Sequence, residues 1–197
     1  MARLIYDKGI AEYIEAIRIL KRNGLNARFQ LLGAPDPKHK RGVSMMKIQE
    51  WVDSGTVEYL GSTDDVRQFI AQADCIVLPS YREGTPRVLL EAAALQKPSI
   101  ATDVPGCREV VQDQINGLLC ELKNPIDLAN KMRTMLSFDR TALDEMGVNG
   151  RKRVERLFQE DFVIRAYERA LEGVTEFSPF KPIASRSILK KLSQQST

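Results

Sequence analysis

The chain has 197 residues, of which 43% are hydrophobic and 28% charged, and this balance is typical of a globular protein with one full domain and extensions. Its net charge of +3 gives no argument for a nucleic-acid partner, and its first residues do not form a signal peptide. No run approaches the roughly 18 consecutive apolar residues that predict a membrane span.

Segments with strand-like and helix-like hydrophobic patterns alternate along the chain. Strands are predicted at residues 2–5, 27–32, 57–60, 75–78, 97–102 and 114–120. Helices are predicted at 10–22, 44–53, 66–73, 88–95, 108–111, 125–136, 141–158 and 160–172, with a polar loop at 34–42. The alternation predicts an α/β fold: a doubly wound, Rossmann-like parallel sheet with helices on both faces and further helices at the C-terminus. Because crossovers between parallel strands are right-handed, the strand-to-helix turns are expected at one edge of the sheet.

The two ends of the chain are expected to differ from the rest. Residues 1–172 are predicted to form the folded domain, and residues 173–197 a basic, mobile tail. The first strand is only a stump, although the first strand of such a sheet is normally central. We therefore expect a truncated first strand and a chain that lacks a preceding domain.

The turn after the fourth predicted strand has the composition of an anion-binding site. Gly84 permits unusual backbone angles, Thr85 is a good N-cap and Pro86 suits the first helical position. A helix start presents unpaired N–H groups and a partial positive charge, which favour phosphate. Glu83 and Glu91 flank this predicted site with two carboxylates.

A second cationic turn is predicted at the same edge. Arg3 and Lys8 lie five residues apart, and Gly9 opens the next helix. Two cations beside a helix start suit a diphosphate, because charge-assisted hydrogen bonds are stronger than neutral ones. The alternative is that Arg3 and Lys8 are ordinary surface charges.

The two glutamates allow several interpretations. They can be a general acid/base pair, ligands for sugar hydroxyls, or solvated helix charges. Glu91 lies in an apolar helical segment, where a carboxylate needs a partner. Two vicinal ribose hydroxyls are one such partner. An internal arginine, for which Arg82, Arg87 and Arg108 are available, is the other.

Metal and nucleophile chemistry are not indicated. The three cysteines lack metal-site spacing, and His39 is the single histidine, so neither a Ser-His-Asp arrangement nor a histidine-rich metal site can be built within this chain. We expect no metal and no cofactor. The cysteine usage favours a reduced, cytoplasmic protein.

Four motifs in order resemble the C-terminal, nucleotide-sugar-binding half of GT-B glycosyltransferases of the retaining family 4. The motifs are Ala-Arg-Leu-Ile-Tyr-Asp-Lys-Gly at 2–9, Val-Glu-Tyr-Leu-Gly at 57–61, two glutamates separated by seven residues (Glu83 and Glu91), and Asn-Gly-Leu-Leu at 116–119. Residues 2–172 carry the resemblance. The strings at 79–84 and 105–109 look most like enzymes that extend lipid-diphosphate-linked sugars in capsule, O-antigen or glycoprotein pathways.

The resemblance implies roles for individual residues. Arg3 and Lys8 hold the diphosphate of a nucleotide-sugar and stabilise its departure, and Glu83 orients the transferred sugar. These three residues are the predicted catalytic set. Glu91 binds the ribose hydroxyls, and Thr63 lies near the base.

The turn itself is predicted to supply backbone contacts. At Gly84 the chain approaches the donor, and the N–H groups of Thr85, Arg87 and Val88 bind phosphate and sugar. Pro86 departs from the glycine that many members have there and removes one N–H donor, so this position is not assigned.

The function that follows is that of half an enzyme. Residues 1–172 would bind the donor, a UDP-sugar or other nucleotide diphosphate sugar, for transfer to a lipid-linked or polysaccharide acceptor. The acceptor-binding domain would be missing, so the isolated chain would be inactive, and the full enzyme would be cytoplasmic or peripheral at the inner membrane face. The alternatives are half of a GT-B nucleotide-sugar 2-epimerase and a non-catalytic nucleotide-binding module. No nucleic-acid partner is expected.

Overall fold

The structure is a computed structural model, and it describes residues 3–25 and 27–158. The predicted helix at 160–172 and the predicted tail at 173–197 lie outside the described residues. None of the helices in the described ranges is long and apolar enough to cross a membrane.

All strand pairings between the named strands are parallel. The strands are β1 (Arg3–Leu4), β2 (Gln30–Leu31), β3 (Ala34–Pro35), β4 (Glu58–Tyr59), β5 (Ile76–Leu78), β6 (Ser99–Thr102) and β7 (Gly117–Cys120). They pair as β1–β3, β2–β4 and β5–β6–β7. Ile100 of the buried strand β6 lies between Val77 and Leu118, which fixes the register of the three-stranded group.

The helices alternate with the strands. After a short 3₁₀ turn at Tyr6–Lys8 they are α1 (Ile10–Arg22), α2 (Met45–Asp53), α3 (Arg67–Gln72), α4 (Arg87–Ala94), α5 (Pro105–Val110), α6 (Pro125–Ser137) and α7 (Arg140–Leu157). The prediction for α5 was wrong at its start, because Pro105 is accepted in the first turn of a helix instead of ending a loop. The loop predicted at 34–42 was wrong at Ala34–Pro35, which pairs with β1.

The apolar faces of the helices build two groups of core residues. α1 buries Ile14, Ile17 and Leu20 in a cluster that includes Leu128 of α6. A second cluster joins residues of α4, α5 and α7, with Leu89 among its most buried members. Helices therefore cover both sides of the parallel strands, and the predicted Rossmann-like class is confirmed.

Candidate functional site

Two turns meet at the carboxyl edge of the strands. Gly9, which follows β1 and precedes α1, has φ of 70°, and a Cβ added there would lie 1.9 Å from the carbonyl oxygen of Pro79. Beside it, the N–H of Tyr81 donates to the carbonyl oxygen of Asp7 over 2.9 Å. Only glycine allows this approach, so the turn after β1 and the turn after β5 touch backbone to backbone.

The contact brings Lys8 and Glu83 together. The Nζ of Lys8 donates to the Oε1 of Glu83 over 2.7 Å, although 75 residues separate them. The side chain of Glu83 is only 12% exposed and that of Lys8 32% exposed. A charge-assisted bond in such surroundings is stronger than a fully solvated pair. The site therefore carries one matched cation and carboxylate at its centre.

The first turn of α5 packs against the backbone of the Glu83 turn. Gly106, in the first turn of α5, is buried, and a Cβ added there would lie 1.6 Å from the carbonyl oxygen of Gly84. The backbone of residues 83–84 therefore rests directly on α5. The Gly84 and Thr85 side of this turn is exposed and faces solvent.

The start of α4 differs from the prediction. Thr85 does not cap the helix: Pro86 is the N-cap residue, with an extended ψ of 108°, and its carbonyl oxygen accepts from Leu89 and Leu90. Because this carbonyl is the first acceptor of the helix, Arg87 is the first helical residue. In the described part of the chain, the N–H groups of Arg87 and Val88 donate to no protein acceptor. Such groups are available to an anion, and the binding of phosphate and sugar by the N–H groups of Thr85, Arg87 and Val88 stays a prediction.

Glu91 lies partly buried in the second turn of α4. None of the arginines in the described ranges forms an ion pair with it, and Arg108 instead pairs with Asp103. The hydrogen bonds that the Arg67 guanidinium donates to the Asp65 carboxylate are the main cause that raises the pKa of Arg67, and the charge of Glu91 adds a smaller effect. Arg67 begins α3, four residues after Thr63 in the chain.

Arg3 is placed differently. Its side chain is 62% exposed and pairs with Asp36 over 3.3 Å, not with Glu83. Arg41 pairs over 2.7 Å with Asp7, the residue before Lys8. The structure thus brings Lys8 and Glu83 into contact but leaves Arg3 outside that contact, and its role in diphosphate binding stays a prediction.

No pattern in the sequence indicates the hydrogen bond that Tyr81 forms with Glu12. Its hydroxyl donates to Oε1 of Glu12 over 2.7 Å, and the Nζ of Lys123 lies 4.7 Å from the centre of its ring. Neither Glu12 nor Lys123 belongs to a recognisable motif. In the described ranges, no group of three or more His, Cys, Asp or Glu residues could hold a metal ion.

Cys107 and Cys120 are buried beside the site and should be chemically silent in the folded protein. Burial raises the pKa of Cys107 to about 12, with the charge of Glu83 adding to the effect, and burial raises the pKa of Cys120 to about 11. We expect neither thiol to react with a thiol-specific reagent at pH 8 until the protein unfolds.

The same shifts give the sign of a pH dependence. Unfolded thiols lose protons near pH 9, whereas the folded thiols keep them, so the free energy of unfolding should fall as the pH rises above 9. Denaturant titrations at pH 8 and pH 10 measure this fall in the free energy of unfolding. The control is the double variant Cys107→Ala, Cys120→Ala, in which the fall between the two pH values should be smaller. If the free energy of unfolding falls equally in the wild type and in the double variant, these thiols do not cause the pH dependence.

The fold is a Rossmann-like parallel α/β domain, the class found in GT-B glycosyltransferases. The family described as "Glycosyl transferases group 1" matches residues 1–137. The chain therefore belongs to the glycosyl transferases group 1 family, and the predicted resemblance is confirmed.

Two relatives illustrate this membership. The chain is 34% identical over 144 residues to the N,N'-diacetylbacillosaminyl-diphospho-undecaprenol alpha-1,3-N-acetylgalactosaminyltransferase of Campylobacter jejuni, covering 73% of this chain and 36% of that protein. It is 27% identical over 163 residues to the capsular polysaccharide biosynthesis glycosyltransferase CapM of Staphylococcus aureus, covering 83% and 42%. The chain thus spans less than half the length of these relatives.

Solved structures share the fold. Anabaena HepE in complex with UDP superposes with a TM-score of 0.75 at 22% identity, covering 88% of this chain and 47% of HepE. The C-terminal domain of the group 1 glycosyl transferase LpcC from Francisella tularensis gives a TM-score of 0.68 at 25% identity, covering 81% of this chain and 84% of that domain.

Proposed function

We propose that this chain is the donor-binding half of a retaining glycosyltransferase that moves a sugar from a UDP-sugar to a lipid-linked or polysaccharide acceptor. The observation that carries the proposal is the contact between Lys8 and Glu83 beside the free N–H groups at the start of α4. Lys8 and the N-terminus of α4 suit the diphosphate, which is the leaving group, and Glu83 suits the hydroxyls of the sugar.

Each end of the site has a role in this proposal. Lys8, with Arg3 after a side-chain rotation, binds the diphosphate together with the N–H groups of Arg87 and Val88. Glu83 orients the hydroxyls of the transferred sugar. Glu91, which has no ion-pair partner in the described ranges, accepts from the ribose hydroxyls.

The base belongs at the remaining end of the edge, near Thr63. Gly84 and Thr85 are exposed and leave the donor room to approach the backbone. UDP is the natural first ligand to test, because it is the molecule bound to HepE, a protein of the same fold.

The chemistry is stabilisation of a leaving group. When the bond between sugar and diphosphate breaks, negative charge develops on the departing oxygen and positive charge on the sugar ring. Lys8 and the N-terminus of α4 stabilise the negative charge on the departing oxygen without requiring a metal. We propose that Glu83 positions the sugar and does not attack it, because an acceptor hydroxyl can approach the same face of the ring as the leaving group.

The acceptor part of the proposal rests on the relatives. The Campylobacter jejuni protein is named for transfer to a diphospho-undecaprenol-linked sugar, and CapM for capsular polysaccharide biosynthesis. We propose the same acceptor class here, and we propose that a preceding domain supplies its binding site. The epimerase and non-catalytic alternatives are not favoured by this family membership.

Calorimetry on the isolated chain tests donor binding directly. We expect UDP to bind weakly, because only about half of a two-sided site is present. A dissociation constant on the order of a millimolar, which corresponds to a binding free energy of about −4 kcal/mol, is expected. We also expect no sugar transfer by this chain alone. Inorganic phosphate and uridine are the controls, and no heat at millimolar UDP would contradict the proposal.

A further inference from the structure

Tyr81 connects three segments around the candidate site. Its N–H donates to the carbonyl oxygen of Asp7, the residue before Lys8, and Tyr81 itself lies two residues before Glu83. Its hydroxyl donates to Oε1 of Glu12 in the first turn of α1. The residue is therefore bonded, through different atoms, to the chain on both sides of the Lys8 turn.

Only one of the two oxygens of the Glu12 carboxylate has a hydrogen-bond partner among the described residues. The second oxygen of Glu12, Oε2, is buried and has no hydrogen-bond partner in the part of the chain that the structure describes. A buried polar atom without a partner lowers stability, and a buried polar pair is often less stable than an apolar pair of similar size. Stability alone therefore does not account for a glutamate and a tyrosine at these positions.

A cation lies over one face of the Tyr81 ring. The ammonium group of Lys123 lies 4.7 Å from the ring centre, within the range of a cation–π contact. Lys123 adopts a positive φ of 56°, a conformation that costs energy for a residue other than glycine. The segment between β7 and α6 thus accepts backbone strain at the residue that covers Tyr81.

We propose that Tyr81 is a positioning residue: bonded to Glu12 and covered by Lys123, it fixes the distance between the Lys8 turn and the Glu83 turn. The inference rests on the proposed function, because the two turns matter only if both contact the donor. An error of about 1 Å in such a placement can cost roughly a hundredfold in rate. Burial and the hydrogen bond to Glu12 both raise the pKa of Tyr81, to about 12, so the phenol keeps its proton and remains a donor at physiological pH.

The decisive variant in the full-length enzyme is Tyr81→Phe combined with Glu12→Met. It keeps the ring under Lys123 and the N–H to Asp7, but it replaces the buried polar pair with an apolar one. We expect an unfolding temperature equal to or above that of the wild type, together with a kcat about tenfold lower and a KM for the nucleotide-sugar within about twofold. The single variant Tyr81→Phe should show the same loss of kcat.

Tyr13→Phe is the matched control. Tyr13 lies on the same helix as Glu12, and its hydroxyl donates to the backbone of Gln30 over 3.3 Å, away from the site. We expect its kcat to equal that of the wild type. A kcat of the double variant within twofold of the wild type, or a kcat loss that appears only with a lowered unfolding temperature, overturns the positioning role.

The experiment separates this inference from the proposed function. Sugar transfer by the wild-type enzyme supports the proposed function whatever the Tyr81 variants do. Absence of transfer and of UDP binding in the wild type overturns both. Normal transfer in the wild type and in both Tyr81 variants overturns the positioning role alone.

Discussion

Replacing Glu83 with glutamine should have opposite effects on two measured quantities. Free UDP should bind the isolated chain severalfold more tightly, because the variant removes a carboxylate that lies 2.7 Å from Nζ of Lys8 and repels a diphosphate. Sugar transfer by the full-length enzyme should fall about a hundredfold, because the sugar loses its orienting carboxylate. Calorimetry with UDP and steady-state kinetics measure the two effects.

A matched control separates this effect from a change in net charge. Glu145 is exposed on α7, so Glu145→Gln removes the same charge far from the paired turns. It should change neither quantity. Weaker UDP binding by Glu83→Gln, or turnover close to that of the wild type, would refute the assigned role of Glu83.

Gly106→Ala should destabilise the protein, although alanine is normally the better helix former. The added Cβ would lie 1.6 Å from the carbonyl oxygen of Gly84, which is backbone and cannot rotate away. Overpacking of this kind costs about 1–3 kcal/mol, more than the roughly 0.5–1 kcal/mol that alanine gains over glycine in a helix. A melting temperature lower by about 5 °C is expected for a protein of this size.

Gly150→Ala, another glycine-to-alanine change within a helix, should change the melting temperature in the opposite direction. Gly150 is buried in α7, and the nearest atom to an added Cβ is Cβ of Ala93 at 3.5 Å, an ordinary contact. This variant should raise the melting temperature slightly. If both alanine variants shift it in the same direction, the close approach of α5 to the Glu83 turn does not control stability.

The parallel α/β class could be predicted because it follows from local patterns. Apolar runs that alternate with amphipathic helices identify the strands, and the handedness of crossovers places the turns at one edge. That Lys8 and Glu83 lie at the same edge follows from the same rule, since each lies in the turn after a parallel strand. The strand at Ala34–Pro35 could not be predicted, because two residues with a proline carry no periodic signal.

Other features depend on tertiary placement. The bond between Tyr81 and Glu12 joins residues 69 apart, and nothing in either local sequence indicates the partner. The exposure of Arg3 and its pairing with Asp36 depend on where the short strand β3 lies. Pro86 replaces Thr85 as the cap because its backbone is extended, which composition alone does not reveal.

Two glycine contacts, at Gly9 and Gly106, hold the two ends of the Glu83 turn. Gly9 meets the carbonyl oxygen of Pro79, and Gly106 meets that of Gly84, so main-chain atoms hold the turn at both of its ends. The exposed side chains at Arg82 and Thr85 take no part in holding it. Substitutions at these two positions can therefore leave the path of the main chain unchanged, so under the proposed function a change of donor preference need not disturb the backbone that we propose binds phosphate.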